Sequence, residues 1–269
     1  MSKTLEKALS LLDYFTEEKP YWRLDEISKH SGIPKATAFR LLRTFTELGY
    51  LQRITFQQDG LVVDGESYGL GLKFLEMGER VAERFEIRRV AIPYMKKLQE
   101  TFNEAVQLVI RDQYEGVYIE KVESTRPVRL YTKVGRHAPL YAGACTRMLL
   151  TYLPEEMIEK VLEKPLTNYA SQTPKTKEEV LKLIAQTKLD GFSYSDSELE
   201  EGTVSIAVPI FDRSGSVPYS ISIAGFSTSL PRDKVQPILG PLWEAAAGIS
   251  KEIGCNHPYP YGEKIKIEQ

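Results

Sequence analysis

The sequence has little cysteine, no long apolar run and no excess of either charge. Two cysteines among 269 residues cannot build a disulfide framework, so we expect a reducing compartment. No run approaches the roughly 18 apolar residues of a membrane-spanning helix, and the N-terminus has no apolar core of a secretory signal. We therefore expect a cytoplasmic protein with no membrane partner.

Charge and motif content exclude further classes of protein. The 35 Lys and Arg residues nearly balance 37 Asp and Glu residues, which excludes a uniformly basic nucleic-acid coat but permits a local basic face. The chain has neither a GxxxxGK[ST] phosphate loop nor an HExxH zinc motif, and its three histidines are scattered. We expect no metal site and no resident cofactor.

The length predicts two domains, since a domain takes roughly 150 residues. With 42% apolar and 27% charged residues, the composition is that of a globular chain. We predict a first domain over residues 1–72, connecting helices over 73–102, a second domain over 103–255 and a peripheral tail over 256–269.

The first domain has the pattern of a winged helix-turn-helix. Apolar residues at helical spacing predict helices over about 4–16, 24–30 and 34–48. In the turn before the third helix, Gly32 permits a positive φ and Pro34 starts the helix. Extended segments over about 50–54, 61–63 and 66–70 follow, with turn residues at 57–60. Three helices and a β-hairpin make up a winged helix-turn-helix.

The third helix carries a local basic face. Residues 35–53 hold four cations against one carboxylate, a net charge of +3. A helix of this kind can enter the major groove of double-stranded DNA, where Arg suits guanine. An ordinary solvated basic helix is the alternative. The candidate DNA-binding residues are Lys35, Thr37, Phe39, Arg40, Arg43 and Thr44 on the helix and Arg53 in the wing.

The second domain is predicted to be α+β with a mainly antiparallel sheet. Its predicted strands lie at about 106–110, 117–122, 128–134, 192–194, 203–211 and 219–224. Residues 139–153 are predicted to hold a helix after a turn rich in Gly and Ala, and further helices are predicted at about 154–162, 177–188 and 233–253.

Three features of the second domain have both a structural and a functional interpretation. Small residues at 142–145 open a helix, whose free N–H groups would favour a bound carboxylate, or they serve close packing on the sheet. The acidic run from Asp196 to Glu201 is a solvated loop, or one carboxylate turns inward as a cavity wall. Three interpretations of Cys145 stay open, namely a small buried residue of the core, a nucleophile and a thiol sensor.

Seven short segments together resemble IclR-type bacterial transcriptional regulators over about residues 4–254. The segments are Leu5–Leu12, the helix-turn-helix through Leu41-Leu42, Leu48–Leu51, Tyr68–Leu72, Val134–Arg136, Pro139–Cys145 and Ile221–Gly225.

The resemblance implies a DNA-binding domain joined by a helix to a GAF-like effector domain. It further implies a homodimer or homotetramer on a palindromic operator, as repressor or activator, with an organic or aromatic acid as effector. The implied effector positions are Leu130, Ala138, Gly143, Ala144, Cys145, Ser195 or Asp196, Ser205, Ser222 and Ala224. Ala224 departs from relatives with serine there, and the wing is longer than in the family.

We therefore predict a ligand-responsive transcriptional regulator that is not an enzyme. Two alternatives depend on Cys145, namely a thiol-redox-sensing regulator and an enzyme that uses the thiol.

Overall fold

Contacts divide the chain into one unit over residues 1–85 and another over 86–269. The computed structural model describes residues 2–54, 57–58, 61–62, 67–84, 86–128, 130 and 132–256. None of the helices in these ranges combines the length and hydropathy needed to cross a bilayer.

The first unit contains four α-helices and short antiparallel strands within its described residues. The helices are α1 (Lys3–Ser10), α2 (Leu24–Ser31), α3 (Lys35–Glu47) and α4 (Lys73–Arg84). The strands are β1 (Trp22–Arg23), β2 (Leu51–Ile54), β3 (Gln57–Gln58), β4 (Leu61–Val62) and β5 (Ser67–Leu70). Strands β1, β5 and β2 form a sheet in that order, and β3 pairs with β4.

The winged helix-turn-helix prediction is confirmed, with three differences in detail. The predicted first helix over 4–16 ends as α-helix at Ser10, and Leu12–Tyr14 form a 3-10 turn. The predicted turn residues 57–58 form strand β3, which pairs with β4. Strand β1 was not predicted; it forms because Trp22, directly opposite Tyr68, is buried with it in the core.

Local geometry at the turn fixes where α3 begins. Gly32 caps α2 with a φ of 69°, a conformation that favours glycine. The Ser28 hydroxyl donates to the Ile33 carbonyl at 2.7 Å. Ile33 itself is buried with Ala38 and Leu42 in the core of the unit. The turn and the core together orient α3.

The second unit is an α+β sandwich of helices around one antiparallel sheet, as predicted. Its helices are α5 (Glu86–Phe102), α6 (Ala144–Thr151), α7 (Glu155–Leu162), α8 (Lys177–Asp190) and α9 (Val235–Glu252). Its strands are β6 (Ala105–Asp112), β7 (Glu115–Val122), β8 (His137–Pro139), β9 (Ser193–Asp196), β10 (Thr203–Ile210) and β11 (Tyr219–Phe226). The sheet order is β8-β7-β6-β11-β10-β9.

One prediction for this unit is wrong. The described residues at 128, 130 and 132–134 form no strand, and the strand beside β7 is β8 instead. The helix predicted within 139–153, after a turn rich in Gly and Ala, begins at Ala144, because Pro139 belongs to β8 and Gly143 caps the helix with a φ of 87°. Residues 129 and 131, and the tail beyond Asn256, lie outside the described residues.

Candidate functional site

Helix α3 separates an apolar face from a cationic one. Ala38 and Leu42, four residues apart, are fully buried in the core. Lys35, Phe39, Arg40, Arg43 and Thr44 are exposed on this helix, with Arg40 and Thr44 opposite the buried pair, while Thr37 is half-buried. Arg53 is exposed on β2 of the wing. The structure therefore places six of the seven predicted DNA-binding side chains at the surface of this unit.

The cations of this face are available to an external anion. Lys35 pairs with Asp25, and Arg43 Nε lies 2.7 Å from Glu47 Oε1; all four side chains are more than half exposed. Such exposed pairs contribute little to stability, so a phosphate can replace the carboxylate. Arg40 has no carboxylate partner within the described residues. The Thr44 hydroxyl donates to the Arg40 carbonyl at 2.9 Å, which engages it inside the helix.

Five of the predicted effector positions line one small cavity of the second unit. The cavity has a volume of about 40 Å³. The predicted residues in its wall are Leu130, Gly143, Ser195, Ser205 and Ala224. Of the two candidates on β9, Ser195 is buried and lines the cavity, whereas Asp196 is exposed, because neighbouring residues of a strand point to opposite faces.

The remaining predicted effector positions lie outside the cavity wall. Ala138, Ala144, Cys145 and Ser222 are buried in the protein interior without lining the cavity. The Ser222 hydroxyl donates to Oε1 of Gln107, which lines the cavity, at 3.4 Å.

Several polar residues of the cavity wall were missed by the sequence analysis. Gln107 Nε2 donates to Thr132 Oγ1 at 2.9 Å, and Arg136 forms an ion pair with Glu200. Burial raises the pKa of Tyr118, which also lines the cavity. Gln107 could have been recognised as the polar residue inside the otherwise apolar segment 105–110. The wall thus combines one guanidinium, one carboxylate, several hydroxyls and an amide.

The N-terminus of α6 is occupied by an internal carboxylate. Glu198 is buried, and its Oε2 accepts the Gly143 N–H at 2.9 Å. The same oxygen pairs with the buried guanidinium of Arg147, which also donates to the Tyr194 carbonyl. The expectation of free N–H groups is therefore wrong for Gly143. In the acidic run, Glu198 turns inward onto this helix, whereas Glu200 is the carboxylate in the cavity wall. A helix N-terminus favours such an anion.

Cys145 has none of the features of a reactive thiol. Burial raises the pKa of its thiol to about 11, so the thiol stays protonated at neutral pH. His137 does not reach it but lies with Nδ1 2.9 Å from Glu115 Oε2. This environment gives no support to the two alternatives that depend on Cys145.

Comparison with known proteins identifies relatives of both units. The family model of the IclR helix-turn-helix domain matches residues 4–54, and that of the bacterial transcriptional regulator IclR C-terminal region matches residues 79–251. The HTH-type transcriptional regulator KipR of Bacillus subtilis is 39% identical, with 94% of this chain and 98% of the relative covered.

Solved structures show the same architecture. The IclR structure from Thermotoga maritima aligns with a TM-score of 0.75 and 26% identity over 94% of this chain and all of that chain (100%). An IclR homologue from Microbacterium hydrocarbonoxydans, complexed with 4-hydroxybenzoate, aligns with a TM-score of 0.79 and 25% identity. That alignment covers 93% of this chain and 99% of the other.

Proposed function

Because this chain belongs to the IclR family of bacterial transcriptional regulators, we propose that it binds a palindromic operator through α3 and responds to a small organic acid. The family consists of DNA-binding regulators rather than enzymes. The observation that carries the DNA half of the proposal is the exposed cationic face of α3, opposite buried Ala38 and Leu42. A homodimer or homotetramer would match a palindrome through its two-fold symmetry. Because operator DNA lies in the bacterial cytoplasm, we place the protein there.

Each residue of the α3 face has a proposed role. Arg40, which has no carboxylate partner among the described residues, reads a base edge in the major groove. Lys35 and Arg43 exchange their exposed carboxylate partners for phosphates. Phe39, 40% exposed, makes apolar contact with a thymine methyl. Thr37 and Thr44 support these contacts, and Arg53 reaches the DNA backbone from the wing.

Replacing Arg40 with alanine is expected to weaken specific operator binding by about 1–3 kcal/mol. The cause is the loss of a bidentate contact to one base. A fluorescence-anisotropy titration on a selected operator and on random duplex measures the effect. Arg89→Ala removes a highly exposed arginine of the second unit and is the matched control. Equal operator affinity for Arg40→Ala and wild type would remove Arg40 from the interface.

The cavity of the second unit supports the effector half of the proposal. Arg136 offers a cation, and Thr132, Ser195 and Ser205 offer hydroxyl groups, a set that suits a carboxylate. The Microbacterium homologue is described as a complex with an aromatic acid, 4-hydroxybenzoate. We propose an organic or aromatic acid for this chain as well.

Effector entry requires the cavity to enlarge. Its volume of about 40 Å³ is far below the usual few hundred Å³ of ligand sites. We propose that the turn with Leu199 and Glu200 moves outward as the Arg136–Glu200 pair opens. The connecting segment 73–102 then transmits the change to the DNA-binding domain at 1–72, with a coupling energy of about 1–3 kcal/mol.

A further inference from the structure

A second cleft lies in the same unit and shares no residue with the effector cavity. This side cleft has a volume of about 290 Å³ between α8, β9 and the start of α9. Leu183, Phe192 and Val235 supply its apolar wall. Along β9, Tyr194 faces the side cleft and Ser195 the effector cavity, because neighbouring residues of a strand point to opposite faces.

The polar wall of the side cleft has more cations than carboxylates. Arg232 lies with its guanidinium carbon 5.6 Å from the centre of the Tyr194 ring and has no carboxylate partner among the residues described. Arg147 forms part of the inner wall, and its buried Nε lacks a hydrogen-bond partner in the described part of the chain. The carboxylate in the wall is Asp190, which accepts a hydrogen bond from Gln186.

We propose that the side cleft binds a small organic anion with an apolar body. The carboxylate of this ligand would lie toward Arg232 and the inner wall at Arg147. The apolar body of the ligand would pack on Leu183, Phe192 and Val235. An unpaired guanidinium beside apolar surface favours an anion over a neutral ligand, because charge-assisted hydrogen bonds are the stronger ones. The volume is close to the lower end of known ligand pockets, which suits a molecule of about ten non-hydrogen atoms.

Arg147 connects this site with the effector cavity. Its guanidinium pairs with Glu198 Oε2, which also accepts the N–H of Gly143 in the effector cavity wall. An anion in the side cleft competes with Glu198 for Arg147. Occupancy of the cleft therefore changes the position of the Glu198 segment and of Leu199, which lines the effector cavity. This coupling rests on the proposed function; binding in the side cleft does not.

Phenylacetate and its neutral amide, phenylacetamide, are suitable probes for the full-length protein. Saturation-transfer NMR measures their binding to wild type, Arg232→Gln and Lys234→Gln. Arg232 is exposed, so its replacement leaves the fold intact, and Lys234 is a neighbouring exposed cation outside the cleft. We expect phenylacetate to bind wild type and Lys234→Gln equally and Arg232→Gln about tenfold more weakly. We expect phenylacetamide to bind more weakly than phenylacetate.

A variant that fills the effector cavity separates the two sites. Ser205→Leu places a larger side chain in the small cavity, and Ser205 is not part of the wall of the side cleft. Phenylacetate should still bind this variant. Loss of binding in Ser205→Leu with full binding in Arg232→Gln would overturn the proposal, as would the absence of any binding to wild type at millimolar phenylacetate.

The coupling has its own readout. Phenylacetate should change the operator affinity of wild type but not that of Arg232→Gln, and an unchanged affinity in wild type would overturn the coupling alone. Failure of the proposed operator function would leave the NMR titration unaffected. The two failures are therefore distinguishable.

Discussion

Replacing Arg147 with methionine is expected to lower the free energy of unfolding of the second unit by about 3–5 kcal/mol. Arg147 is 1% exposed, and its guanidinium holds both the Glu198 carboxylate and the Tyr194 carbonyl. Removing it leaves a buried carboxylate with the Gly143 N–H as its remaining described partner. The cost of an uncompensated buried charge exceeds the gain from one better-packed apolar side chain.

Tryptophan fluorescence can follow this unit separately. The chain has two tryptophans, Trp22 in the first unit and Trp243 in the second. In a Trp22→Phe background, the fluorescence change during denaturant unfolding comes from Trp243 alone. Trp243 is buried beside Phe192. The double variant Arg147→Met/Glu198→Leu removes both charges and should recover much of the lost stability. A loss below about 1 kcal/mol for Arg147→Met would contradict the role given to this pair.

Replacing Gly71 with alanine is expected to destabilise the first unit by about 3 kcal/mol, the upper part of the usual range for overpacking. A Cβ at this position would lie 2.2 Å from the Gly49 carbonyl oxygen, which is backbone and cannot rotate away. Gly71 also donates its N–H to the Tyr50 carbonyl at 2.8 Å. Since Gly49 follows α3 almost directly, relief of the overlap displaces the end of that helix, and operator affinity should fall as well.

Gly78 provides the matched control. It lies within α4, and a Cβ there meets no atom within 4 Å. Gly78→Ala should therefore stabilise the helix, by up to about 1 kcal/mol. Unfolding of both variants is followed through Trp22 in a Trp243→Phe background. Similar effects of Gly71→Ala and Gly78→Ala would contradict the close approach of Gly71 to Gly49.

The parts of the fold that could be predicted are those determined by neighbouring residues. The helix-turn-helix follows from apolar spacing in α3 and from the turn chemistry of Gly32 and Pro34, which act over a few residues. The segment 128–134 has the alternating pattern of a strand, yet its described residues pair with none, because strand formation depends on a partner as well as on propensity.

The polar network of the second unit could not be predicted, since its members are distant in sequence. Arg147 and Glu198 are 51 residues apart, and Arg136 and Glu200 are 64 apart. Neither pair has a local pattern that links its members, and both are formed by the folded sheet and helices. Small residues at 142–145 correctly marked the start of a helix but gave no sign that Glu198 accepts the Gly143 N–H.

Selection of genomic fragments by the purified protein tests the central claim, that the cationic face of α3 recognises a specific operator. Sheared genomic DNA is incubated with wild type and with Arg40→Ala at moderate salt, and the retained fragments are sequenced. We expect wild type to enrich a small set of fragments that share an inverted repeat, and Arg40→Ala to lose that enrichment while it keeps weak binding to random duplex. Retention of all fragments in proportion to their input, with and without added organic acids, would contradict the account.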